Sequence, residues 1–93
     1  MKTIFEIAHV KLCLTEDNLL ELNIEDTELF DTFDDILIEK YNIENYYCVT
    51  EMKDEKTNYK LYFQNDVDTE MVIKAIKSIS ESEVIRIYKL NNE

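Results

Sequence analysis

The sequence predicts an α+β domain, an antiparallel sheet with two helices on one of its faces. Three observations predict it. Hydrophobic residues recur at helical spacing in two segments, each preceded by an aspartate suited to capping. The segments around them are rich in β-branched and aromatic residues that alternate as strands do. The chain is 93 residues long and 45% hydrophobic, enough for one modest core and too short for two, so residues 1–93 form a single domain.

Residues 3–14 read as one long strand, with Ile4, Ala8, Val10, Leu12 and Leu14 on one side and Phe5, Ile7, His9, Lys11 and Cys13 on the other. Glu16, Asp17 and Asn18 make a polar break, and residues 19–24 alternate as a second strand, paired to the first as a hairpin. Asp26 N-caps a helix over about 27–41. Leu29, Phe30, Phe33, Ile36, Leu37 and Tyr41 form its apolar stripe, and Asn42 closes it. Residues 46–52 are a strand, 53–58 a turn and 59–63 a returning strand. With no Gly in the chain, a longer loop is expected there rather than a compact type I′ turn.

Asp68 caps a second helix over about 69–80, with Met71, Val72, Ala75, Ile76 and Ile79 inward and Val67 as its hydrophobic staple. Residues 83–90 read as a last strand. The order is β-β-α-β-β-α-β. With one of the first two strands set aside it is the ferredoxin-like β-α-β-β-α-β arrangement. In that fold the first strand is central and leaves a hairpin partner nowhere to pair. Either residues 19–24 are irregular, or this is a related antiparallel sheet of different order.

The composition excludes several chemistries. A chain without Gly builds neither a P-loop nor a dinucleotide fingerprint, and no nucleophile elbow. Asp31, Asp34 and Asp35 do not fit the calcium loop, which needs a central Gly and alternating ligands. Cys13 and Cys48 belong to no C-x-x-C unit and read as two buried thiols of a reducing compartment. With His9 they still fall short of a zinc site, so no metal or other cofactor is expected. His9 reads as a packing or edge residue, and Ser78, Ser80 and Ser82 as capping or turn residues. Tyr46, Tyr47, Tyr59 and Tyr62 are compatible with a stacking sheet for RNA, but the anionic chain disfavours direct nucleic-acid contact. Exposed tyrosines suit a protein interface better. No stretch is a signal peptide or a membrane span, and the chain reads as cytoplasmic.

What remains is the distribution of charge. The formal net charge is −11, from 21 acidic and 10 basic residues. Residues 16–46 hold 11 of the acids and one base, Lys40, a net of −10; the rest of the chain is close to neutral at −1. At about 100° per residue, Glu28, Asp31, Asp35 and Glu39 fall within a wedge of roughly 80°, away from the apolar stripe. Glu25, Asp26 and Asp34 flank them, and Ile38 lies on the same outward side. Consecutive carboxylates three or four residues apart repel, each pair costing a few tenths of a kcal/mol. A surface kept repulsive at a cost in stability fits a positively charged partner.

This pattern of Glu28, Asp31, Asp35 and Glu39, with Glu25, Asp26 and Asp34 beside them, resembles the small acidic phage proteins that block nucleic-acid-handling enzymes, anti-CRISPR proteins and other DNA mimics among them. The likeness is one of charge, over a third of the chain, without an alignable motif. It implies a non-enzymatic inhibitor, a monomer or homodimer in the host cytoplasm. Its partner is then a basic nucleic-acid-binding effector or nuclease, with no membrane involved. Two alternatives stand beside it. One is an immunity or antitoxin protein covering a nuclease toxin. The other is a small ferredoxin-like domain that binds a ligand or dimerises through a sheet edge.

Overall fold

The computed structural model describes residues 2–92. It is α+β, with five antiparallel strands and three α-helices: β1 (Lys2–Ile7), β2 (Val10–Leu14), β3 (Leu20–Ile24), α1 (Thr27–Asp35), a π-helical turn (Ile36–Lys40), β4 (Tyr47–Lys53), β5 (Lys56–Phe63), α2 (Thr69–Lys77) and α3 (Glu81–Asn92). The sheet order is β1-β2-β3-β5-β4. The chain forms a three-strand meander, crosses by α1 to the far edge, and returns through β5 to fill the gap. This is not the ferredoxin-like arrangement. Residues 19–24 do contain a true strand, pairing with β2 on one side and β5 on the other.

The segment expected to be one long strand is a hairpin. Ile7 pairs with Val10 and Phe5 with Leu12, around a turn at Ala8 and His9 in which His9 has φ 64°. The reversal changes the parity of the side chains. Phe5 and Ile7 sit on the same side as Val10 and Leu12, where a straight strand would set them opposite. The second departure is at 83–90, which is helical. Ser80 Oγ accepts from the Glu83 amide at 3.2 Å, as an N-cap does, and Glu83 pairs with Arg86 one turn on. Val84 is buried and Ile87 and Tyr88 are half-buried against the core, the i, i+3, i+4 spacing of a helix face.

The third departure is the β4–β5 connection. It is a two-residue turn, Asp54 and Glu55, between the paired Lys53 and Lys56. Both turn residues have positive φ, 54° and 66°, the type I′ signature normally filled by Asn-Gly. Lacking Gly, the chain places His9, Asn18, Asn42, Asp54 and Glu55 in the left-handed region. Asn18 follows a turn closed by its amide on Thr15 O at 3.0 Å. Asn42 ends the first helix as expected, and Ile43 N then reaches back to Leu37 O at 2.8 Å.

All three α-helices cover one side of the sheet. Val10, Leu12, Leu20, Leu22, Ile24, Leu61 and Phe63 point to that side and share one cluster with Leu29 and Phe33 of α1, Val72, Ala75 and Ile76 of α2, and Val84 of α3. Asp68 caps α2 as expected, its carboxylate accepting from the Glu70 amide at 3.0 Å. Val67 packs against the same core. No described helix is long and apolar enough to cross a membrane.

Candidate partner-binding surface

Leu29, Phe33, Ile36 and Leu37 are buried beneath α1 and its π turn, which fixes the opposite side outward. Phe30 lies flat on Tyr59 of β5, ring centroids 4.2 Å apart, and Thr27 Oγ1 bonds Tyr59 OH at 3.0 Å. These contacts set α1 above β5. Glu28, Asp31, Asp35 and Glu39 are exposed, and Ile38 stands among them with 40% of its surface accessible. Ile38 and Glu39 ride on the π turn, a geometry often found at functional sites.

The flanking acids behave differently. Asp26 is only 7% exposed and serves the helix: its carboxylate accepts from the amides of Glu28 and Leu29, both at 3.1 Å. Its charge thus stabilises the positive helix N-terminus instead of facing outward. Glu25 lies beyond the helix and faces His9 Nδ1 at 3.4 Å. Asp34 is half-buried at the margin of the acidic side. Burial, together with the charges of Asp35 and Asp31, pushes its carboxyl above the ordinary range. Among the described residues the ion pairs are His9–Glu25, Lys60–Glu51 and Arg86–Glu83; none engages an acid of α1.

β4, next to the β5 strand on which Phe30 rests, is an edge strand of the sheet. Its described side chains are exposed, with Met52 73% and the preceding Tyr46 62% accessible. Cys48, expected to be buried, is exposed on this strand, whereas Cys13 is buried as expected. Partial desolvation and the negative charge of Asp34 push the Cys48 thiol upward. The tyrosines do not form one stacking platform. Tyr59 is covered by Phe30 on the helix side, while Tyr47 and Tyr62 stack on each other on the open side, centroids 4.6 Å apart.

The open side holds a feature not drawn from the sequence. Glu21 projects there and is only 3% exposed. Its Oε1 accepts from Asn23 Nδ2 at 2.7 Å. Tyr62 is pushed up to about 12 by burial and by its hydrogen bond to Glu21. The alternation of 20–24 signals that Glu21 faces away from the helices, but not that its neighbours enclose it. Beside it a concavity of about 380 Å³ is lined by Glu6, Lys11, Asn23, Glu25, Asn58 and Lys60. The described residues contain no group of three or more His, Cys, Asp or Glu placed to hold a metal ion.

His9 is a packing residue of a particular kind. Its ring stacks on Tyr88 at 3.6 Å, and the Ala8 amide donates to Glu81 at 2.8 Å. The β1–β2 turn is thereby fastened to α3. Comparison with protein-family models, with curated proteins and with solved structures returned no match for this chain.

Proposed function

We propose that this chain is a non-enzymatic binding protein that acts in the cytoplasm by occupying a basic nucleic-acid-binding surface of another protein. That partner belongs to a CRISPR-Cas effector or another nucleic-acid-processing complex. The observation that carries the reading is the row Glu28, Asp31, Asp35 and Glu39, exposed on one helix and paired with no cation among the described residues. Successive members are about 5–6 Å apart at Cβ. They form a line of fixed negative charge of the kind that phosphates present to a basic channel. The mechanism is occupancy: the acidic helix takes the place of the nucleic-acid backbone, and Ile38 adds an apolar contact. Association is electrostatically steered and weakens with salt.

The test is capture from host lysate on immobilised protein at low and high salt, with Asp31→Lys/Asp35→Lys in parallel. The wild type is expected to retain a nucleic-acid-binding protein that salt or added duplex DNA releases, and the double variant to retain none. Equal capture by the folded double variant refutes the reading. A nuclease toxin as the captured partner assigns the same surface to an immunity role.

A further inference from the structure

We propose that the free edge of β4 and the acidic side of α1 form a single groove, which takes an extended, Lys- or Arg-bearing strand of a partner protein as a sixth strand of the sheet. The inference rests on the basic-partner reading and specifies how that partner engages. Among the described residues β4 pairs with β5 on one side and with no strand on the other, which leaves its outer edge open to an added strand. Natural edges of this length are blunted by proline, a bulge, a covering element or charged side chains; of these β4 carries only charge, in Lys53 and in Glu51, which is paired with Lys60 of β5. β4 contains no proline, its pairing with β5 is in continuous register from Tyr47 to Lys53, and its described side chains are exposed.

The position of α1 supplies the charge rule. Phe30 rests on Tyr59, and Tyr59 is the cross-strand neighbour of Thr50 in β4. Around the helix, at about 100° per residue, Asp34 comes about 40° beyond Phe30 and Asp31 about 60° further. The direction is away from the core and toward the side of β5 on which β4 lies. Ile38, exposed on the π turn that follows, offers an apolar contact further along the same side. Side chains of an added strand that project to the helix side therefore meet Asp34 and Asp31, which favours Lys or Arg at alternate positions. A second copy of this chain is disfavoured. Antiparallel β4–β4 pairing about a two-fold axis would put both helix layers on one side of the joined sheet, with the two acidic rows facing across the seam.

The test uses the intact protein and synthetic peptides of alternating valine and lysine, the same peptide with alternate amides N-methylated, and a valine–glutamate counterpart. Binding and amide hydrogen exchange are followed by NMR. The valine–lysine peptide is expected to bind and to slow exchange of outward-facing amides within 47–53. Methylation should abolish binding, and Asp34→Asn should weaken it about two- to fivefold, the effect of one exposed ion pair. Binding without protection of β4, unaffected by methylation, overturns the groove and leaves the basic-partner reading standing. Equal binding of the glutamate peptide overturns the charge rule. Concentration-dependent protection of β4 without peptide overturns the proposed occupant in favour of a second copy, and failure of the lysine peptide to bind overturns the inference outright.

Discussion

Asp34→Asn tests the premise that the acidic side of α1 is maintained against folding stability. Asp34 is half-buried and carries the charges of Asp31 and Asp35 beside it, with no cation paired to it among the described residues. Asparagine has the same shape and ranks beside aspartate in helix propensity, so packing and backbone terms nearly cancel. The like-charge pair with Asp31, three residues away, costs about 0.2–0.5 kcal/mol. Relief of the partial burial and of Asp35 adds a similar amount, giving about 0.5–1 kcal/mol. At about 4–8 °C per kcal/mol for a domain of this size, Tm should rise by about 2–8 °C at pH 7.

The sign with pH follows from the raised carboxyl. A group whose folded-state pKa lies above its unfolded value disfavours folding when ionised. The cost is present in full above the raised value and disappears as pH falls towards the ordinary ~4. Wild type and variant should therefore differ at pH 7 and converge near pH 3. Thermal melts by circular dichroism at both pH values measure this. An unchanged or lower Tm at pH 7, or an equal shift at both, refutes the claim that the acidic helix is destabilising.

Three further outcomes are expected. Glu55→Gly should stabilise the fold by about 0.5–1 kcal/mol, since glycine relieves the left-handed residue at a cost in unfolded-state entropy; a denaturant midpoint that does not rise contradicts the type I′ geometry. Asp26→Ala should destabilise by about 0.5–2 kcal/mol through loss of the cap to the Glu28 and Leu29 amides, seen in the same denaturant titration. With a thiol-reactive disulfide reagent, Cys48 should react and Cys13 should react only on unfolding. Because burial and Asp34 raise the Cys48 thiol, its rate near neutral pH should increase in Asp34→Asn as the thiolate fraction grows.

A captured complex also separates the two parts of the surface. Changes at Asp31 and Asp35 alter charge on a helix whose packing face is elsewhere, so apart from relieving a few tenths of a kcal/mol of repulsion they leave the fold intact and report on the partner. The cap at Asp26 reports on folding and not on the partner. Treating all seven acids of 25–39 as one contact surface would confuse these effects.

The sequence by itself determined the features that are local. Asp26 and Asp68 marked helix starts because an N-cap satisfies amides two and three residues away. The apolar spacing of 29–41 and 69–79 settled which sides are buried, and so which carboxylates of α1 face solvent. Asn42 ended the helix because asparagine tolerates the left-handed conformation. Only the tertiary structure decided what depends on partners distant in sequence. The reversal at Ala8 and His9 carries no glycine or proline, and the alternation of 3–14 fits a straight strand as well as a hairpin. The choice is made by the side chains of Phe5 and Ile7 reaching the helix-covered side. Residues 84–88 are β-branched enough to read as a strand, yet Ser80 and Glu83 have capping-box spacing, and packing of Val84 into the core makes them a helix. The insertion of β5 between β3 and β4 leaves β4 on the edge, exposing Cys48. Glu21 is enclosed by residues from other strands. Periodicity reports which side a residue faces; strand order, which costs long loop closures and is settled by the whole core, decides what it meets there.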